Sequence, residues 1–439
     1  MVKNKNINLN PINNQLMLNL KSTQFMKNKF AYLSTLILAI VFVTGMNSCK
    51  KDPTALTLQT LVAGDIDLNG ATAPTTVPRT PTIVASFSTD VDATTATTTS
   101  VTLIRDYDKA TVATTVTVAG SKITIVPTEA LATGALFKLN FAGTIKSTDG
   151  EMLTALERNF TTFGKFAPSG QLAYWNFEGD AKDQIGTFNA TAEVAVSYTA
   201  SHSTAAGKAA TFNGTTSIIE IPNGDKLMNP DFTMSFWVKA ETQDKGHFVI
   251  GLGAFYGFQF EIAGDFTNCK LAGAYSYQGG GDTAIFTDNW WNGDGKNKDN
   301  GGWQGWTLNK DMTGTGGIPS LLKDKWAHVV CTYSSTTRVA TIYMNGEAVK
   351  AQDFNLWPAT DKWVKVTGML YGGKAPDVVN ELAFGFIQSR AGTMWDTEPW
   401  GGYGIPGANH FKGQLDDVRI FNTAITAAEV DLMYKSEKL

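Results

Sequence analysis

Short runs of alternating or consecutive apolar residues recur along most of the chain, separated by turns rich in Gly, Asn and Asp. A period of two puts alternate side chains on opposite faces of a sheet, so these runs read as β-strands. Between Leu56 and Phe166 they are Ile83–Phe87, Val101–Ile104, Val112–Val118, Ile123–Val126, Phe137–Phe141 and Phe160–Phe163, with a tight turn at Asp149-Gly150. From Gly170 onward they are Leu172–Gly179, a hairpin over Ala210–Ile221 turned at Asn213-Gly214, Phe232–Lys239, the pair Trp326–Tyr333 and Val339–Glu347, and Leu382–Gly385. The last is Leu415–Phe421, where Asp416, Asp417 and Arg419 interrupt an apolar strand pattern. After it, Thr426 is placed to cap a short closing helix, with Glu429 as capping-box partner and Val430, Leu432 and Met433 as its apolar residues.

Composition agrees with an all-β fold. The chain is rich in Thr and Gly, its aromatic share is 11%, and few segments show helical periodicity. A length of 439 residues exceeds one ordinary domain. The pattern divides it into two, 56–166 and 170–439. A net charge of −4 leaves no basic footprint, so nucleic acid is not expected as a partner.

The ordered segments S-F-S-T-D-V-D (86–92), I-V-P-T-E-A-L (125–131), F-K-L-N-F (137–141) and N-F-T-T-F (159–163) resemble the bacterial Ig-like family of surface-layer proteins. With no His or Cys between Leu56 and Phe166, the domain reads as a rigid spacer, with protein docking as the alternative. In the second half W-N-F-E-G, A-T-F-N-G, F-T-M-S-F-W-V, W-A-H-V, Y-M-N-G and L-D-D-V-R-I-F appear in an order similar to the laminin G-like, concanavalin A-like jelly roll. The resemblance implies an Ig-like β-sandwich followed by a concanavalin A-like (laminin G-like) sandwich of two face-to-face sheets. Trp175, Phe236, Trp237 and Trp326 then read as core rather than ligand platforms, and His328 as structural.

The stretch Met26–Cys49 has a basic start (Lys27, Lys29), an apolar run and Ser48 before Cys49. It resembles a bacterial lipoprotein signal occupying 26–48, with Cys49 lipidated and 49–55 as a tether. Met46 and Asn47 depart from the usual pattern, and an uncleaved membrane anchor is the alternative. Residues 1–25 are polar and precede a second good start, so they read as a spurious extension. The remaining cysteines, Cys269 and Cys331, allow either a disulfide in an exported protein or buried free thiols.

Two long insertions depart from a minimal sandwich. The first, about Tyr275–Leu321, carries Phe286, Trp290, Trp291, Trp303 and Trp306; the second, about Gln388–Asn409, carries Arg390, Trp395, Trp400 and Tyr403. Aromatic content argues for order in loops of this length. Trp and Tyr faces beside amides suit a sugar, stacking on its C–H face while the amides bind its hydroxyls. A local mini-core or a protein interface would use the same residues.

A glycosidase needs paired carboxyl groups, about 5–5.5 Å apart for retention or about 6.5–9.5 Å for inversion. The E-x-D-x-x-E and E-x-D-x-x-x-E spacings of enzymes on this jelly roll are missing, and the nearest pair, Glu261 and Asp265, is separated by a turn-forming Gly264. The four histidines are dispersed, and neither a nucleophile elbow nor a phosphate loop occurs. No catalytic residue is assigned. The laminin G resemblance also implies a rim Ca2+, for which Asp180 or Asp183 and Asp416 or Asp417 could supply oxygens, Asp183 and Asp416 being the chosen pair. Alternatively Asp416 and Asp417 face solvent or pair with Arg419.

Taken together, the sequence predicts a lipid-anchored protein of the bacterial outer membrane, at the cell surface, that binds a polysaccharide or oligosaccharide without catalysis. The layout resembles that of glycan-binding lipoproteins accompanying uptake systems, so uptake proteins are expected as neighbours. An adhesion or scaffold protein is the alternative, and a hydrolase the more distant one.

Overall fold

The computed structural model describes residues 54–278 and 284–438. The signal segment and Cys49 lie outside the described residues. Among those described, the chain is built almost wholly of antiparallel strands, with two short α-helices.

The first sandwich packs a five-stranded sheet on a four-stranded one. Alternation decides what is inside: along Leu136–Phe141, Phe137, Leu139 and Phe141 are buried and the residues between them are not. Phe87 of one sheet meets Phe141 of the other edge-on, with ring centroids 5.9 Å apart.

The second sandwich has a back sheet and a front sheet. In the back sheet the closing strand, Lys412–Phe421, pairs with Gln171–Trp175, Lys208–Asn213 and Phe232–Ala240. The sheet continues through Trp326–Ser334, Val339–Met344 and Glu347–Asp353 to the edge strand Trp306–Asn309. The front sheet runs from Ala192–Val194 through Ile218–Ile221, Leu382–Phe384, His247–Leu252, Phe258–Ile262 and Cys269–Tyr277 to Ile285–Trp291. Between them lie Trp175, Phe236, Phe260 and both remaining cysteines, which are free and buried. Phe236 and Phe260 meet across the core at 5.0 Å.

The interruption seen in the closing strand is a β-bulge. Asp417 has φ +47°, and the pairing with Phe232–Ala240 shifts register there. The extra residue lets Leu415 and Val418, three apart, both enter the core.

The terminal helix, Ala427–Glu437, starts with the expected capping box: Thr426 Oγ1 accepts from the Glu429 amide (3.3 Å) and Glu429 Oε2 from the Thr426 amide (2.8 Å). The helix lies on the outer face of the back sheet, where Tyr434 stacks near Trp237 and His328. Its Val430 and Met433, with Val330, Tyr343, Phe421 and Ile425, merge with the core of the first sandwich into one apolar cluster. Tyr107 donates to Glu429 (3.0 Å) and Lys165 pairs with Asp417 (3.0 Å) across the same seam. The Ig-like half therefore occupies the back-sheet side, leaving the outer face of the front sheet to other segments.

Candidate functional site

That outer face is divided in two. Over Ile218–Ile221, Leu382–Phe384 and His247–Leu252 it is closed by the second insertion, whose Trp395 and Ala408 pack with Ile218, Phe248, Ala383 and Phe386. Over Phe258–Ile262, Cys269–Tyr277 and Ile285–Trp291 it is open and forms a groove of about 630 Å³.

The floor follows from strand alternation. Gln259, Lys270, Ala272, Phe286, Asp288 and Trp290 occupy same-face positions on three adjacent strands and line the groove. The far wall comes from the back-sheet edge and its loops: Trp303, Trp306, Gln352, Trp357 and Trp363. Trp303 stacks beside Trp306 (centroids 5.9 Å, planes 13° apart), Trp290 tilts against Trp306 at 5.9 Å, and Trp357 stacks on Trp363 at 5.6 Å. Gly305 permits this packing, since a Cβ there would stand 2.0 Å from the Trp357 ring. Trp303 is 72% exposed and Phe286 40%, a high cost for large apolar surfaces without a partner.

The polar groups of the groove are unevenly satisfied. Gln259 Nε2 donates to Glu261 Oε2 (2.7 Å), which fixes the amide's orientation and leaves its buried Oε1 without a partner. Gln352 Oε1 is likewise buried and unpaired. Buried acceptors are normally paired, and two orphans lining one groove mark where donors are wanted. Lys270 Nζ lies 3.1 Å from Glu261 Oε1 and 2.9 Å from Asp288 Oδ2. Burial raises the Glu261 carboxyl above its usual range, against the pull of Lys270. Burial also opposes the charge on Lys270, but Glu261 and Asp288 outweigh it and hold the ammonium above its ordinary value. Behind the wall, buried Lys350 directs Nζ at the Trp306 ring, 3.0 Å from its centroid, and burial lowers its pKa to about 7.

Of the expected sugar-binding residues, Trp290, Trp303 and Trp306 meet in this groove. Trp291 does not: strand alternation turns it into the sandwich core, where it is fully buried and donates Nε1 to the Lys310 carbonyl (3.3 Å). The second insertion is the mini-core. Arg390 clamps Glu220 through Nε (3.1 Å) and Nη2 (2.7 Å); Trp395 packs on Phe255 and Tyr256 at 5.9 and 6.1 Å; Trp400 covers Phe248 at 6.1 Å; Tyr403 meets Phe386 at 5.6 Å. None of these four lines the groove. Phe255 and Tyr256 lie between the two insertions, packing on Phe286 at 5.2 and 5.0 Å as well as on Trp395.

The residues expected to share calcium each have protein partners. Asp183 accepts amides of its own loop, from Tyr174 (3.0 Å), Ile185 (3.1 Å) and Phe188 (3.1 Å), and Asp416 is buried against the Ser201 hydroxyl. Among the described residues no group of three or more His, Cys, Asp or Glu could hold a metal ion. Asp265 turns away from Glu261 and caps Thr267.

Sequence reasoning missed Gln259, Lys270, Asp288, Gln352, Trp357 and Trp363. The first three become legible once the strands are registered. The others come from the far side of the chain's path, and their motifs carry no signal of it.

Residues 66–162 match the family model of the bacterial Ig-like domain, and residues 213–384 match that of the concanavalin A-like lectin/glucanases superfamily. No curated protein matches the chain at a significant level. Among solved structures it is similar to the botulinum neurotoxin type G receptor-binding domain, at 15% identity and TM-score 0.36, covering 61% of this chain and 51% of that one. The botulinum neurotoxin serotype D ligand-binding domain in complex with N-acetylneuraminic acid is also similar, at 12% identity and TM-score 0.38, with 61% and 51% covered. The chain spans about half the length of these structures. The protein thus carries a bacterial Ig-like domain followed by a concanavalin A-like domain of the lectin and glucanase superfamily.

Proposed function

We propose that the protein is a surface-anchored, non-catalytic carbohydrate-binding lipoprotein that holds a polysaccharide or oligosaccharide in the front-sheet groove for an uptake system. The observation that carries this reading is the pairing of exposed aromatic faces with orphaned buried acceptors in one groove. Pyranose rings offer apolar C–H faces and hydroxyl donors together, which satisfies both. Trp303 stacks on the sugar, with Trp290 beside it and Trp306 behind as support, and Gln259 and Gln352 accept its hydroxyls once their amides turn toward the groove. Glu261 and Asp288 are both tied to one ammonium, an arrangement that favours holding a ligand over acid–base cleavage.

The test is an affinity-gel screen of the soluble chain starting at Lys50 against plant, algal and host glycans. Trp303→Ala is expected to weaken a hit by ~2 kcal/mol, about thirtyfold in Kd, with circular dichroism unchanged, and Trp306→Ala, at a buried edge-strand position, to weaken it while also lowering stability. Retention of the hit by the double variant would place binding elsewhere. Reducing-end release from the same glycans, absent in the wild type and in Glu261→Gln alike, separates binding from hydrolysis. In cells, Cys49→Ala should abolish incorporation of labelled fatty acid and release the protein from the membrane fraction.

A further inference from the structure

The charges and hydrogen-bonding capacity of the groove narrow the ligand class, an inference that rests on the carbohydrate reading above. Among the described residues that line it, Lys270 is the one cation, and it is engaged on both sides by Glu261 and Asp288. Two carboxylates against one ammonium leave this floor with a formal charge of −1. Lys350 offers no remedy, because it is fully buried and its amine faces the Trp306 ring. On the first insertion, Lys296 and Lys298 are paired with Asp294 (3.8 Å) and Asp299 (2.6 Å).

The acceptor groups point the same way. Gln259 Oε1 and Gln352 Oε1 are acceptors, and so are the oxygens of Asp288, whose side chain is 49% exposed. A hydroxyl can donate to all of them. An ionised carboxylate or a sulfate ester donates to none, and it would bring a second negative charge beside Asp288.

We infer that the groove selects uncharged glycans, and that Asp288, backed by Glu261, is the residue that turns away uronate, sulfated and sialylated chains. Such a preference is set by repulsion as much as by attraction. Asp288 excludes in two ways: it repels an acidic sugar directly, and it holds Lys270 so that the ammonium cannot pair with one.

The test takes each glycan retained in an affinity gel and converts it into two ethers of similar size, one hydroxyethyl and one carboxymethyl. The soluble chain starting at Lys50 is expected to bind the hydroxyethyl form at least about tenfold more tightly than the carboxymethyl form at low salt. Asp288→Asn is read through the ratio of the two affinities, which should fall toward one whatever becomes of its affinity for the uncharged ether. The same variant should regain most of the loss on the charged one. Equal or tighter binding of the carboxymethyl ether by the wild type, or hits confined to naturally acidic glycans, would overturn the inference while leaving a carbohydrate site. An unchanged preference in Asp288→Asn would remove Asp288 from the role. Retention of no glycan, neutral or acidic, would overturn the carbohydrate reading and the inference with it.

Discussion

Asp416 and Asp417 sit side by side on the closing strand, both almost fully buried, with unlike environments. Burial, and then the neighbouring Asp417 charge, push the Asp416 carboxyl up to about 8 despite its bond from Ser201. Burial acts on Asp417 in the same sense, but Arg419 and Lys165 outweigh it and hold that carboxyl below its usual range. The native state therefore keeps a proton on Asp416 that the unfolded chain, with a carboxyl pKa of about 3.9, releases. The stabilising contribution is complete below about pH 4 and is lost as pH rises toward about 8. Asp416→Asn, fixed in the neutral form, should gain on the wild type by roughly 1 kcal/mol per pH unit across that window. Thermal melts at pH 5, 6, 7 and 8 read it, and a constant difference would show that Asp416 is ionised throughout. The two carboxylates were visible in the sequence as candidate calcium ligands, Asp416 with Asp183 as its partner, but their state was not. Ser201 and Lys165 lie 215 and 252 residues away, and the bulge that separates the two side chains shows in the sequence only as an interruption of the apolar pattern. Trp290 and Trp291 show the converse case: neighbouring, chemically identical residues are sorted into groove and core by strand parity, once a register is known.

At the level of elements, the two insertions have the same composition and opposite roles. Aromatic, Gly and Asn residues allowed either a ligand wall or a mini-core; the second insertion closes as a mini-core, while the first borders an open groove. What decides is the part of the front sheet each covers. The second insertion seals strands whose outward residues are apolar, including Ile218, Phe248 and Ala383; the first borders strands that present Gln259, Lys270 and Asp288. Removing an aromatic ring therefore has different consequences on the two sides. Trp395→Ala, at a site 6% exposed, should lower unfolding stability by about 3 kcal/mol or more. It should reach glycan affinity only through the loosened Phe255 and Tyr256 beneath Phe286. Trp303→Ala should leave stability within about 0.5 kcal/mol while affecting binding. Denaturant titration of both variants beside a binding assay checks the pair, and similar stability losses would contradict this division. The strands, the capping box and the two-sandwich order were legible because they rest on local periodicity and short-range caps. The division of labour was not, because it depends on pairings between strands far apart in the chain.

At the scale of the whole molecule, the terminal helix makes two sandwiches into one mechanical unit. It is the last described element, yet it lies between the halves, with Val430 and Met433 in the shared cluster and Glu429 accepting from Tyr107. Its far end is held by Glu437, which accepts from Trp237 Nε1 (2.8 Å) and pairs with Arg419 (2.6 Å). A junction with a continuous apolar core restricts the domain motion expected of a small polar one. The Ig-like half lies on the back-sheet side and the groove on the front. If the chain is tethered at Cys49, just ahead of the Ig-like sandwich, the groove is carried on the face turned from that sandwich, a suitable attitude for capturing glycan beyond the membrane. Coupling of this kind should appear as a single calorimetric transition for the wild-type chain, because neither half can lose its core without exposing the other's. Val430→Asp places a carboxylate in the shared cluster, where an unpaired charge is costly, and should split the melt into two transitions of smaller enthalpy. Glycan affinity measured below the first transition should remain, since the groove is built wholly from the second sandwich. Two transitions already present in the wild type would show that the halves unfold independently, and the presentation of the groove would then depend on a flexible joint.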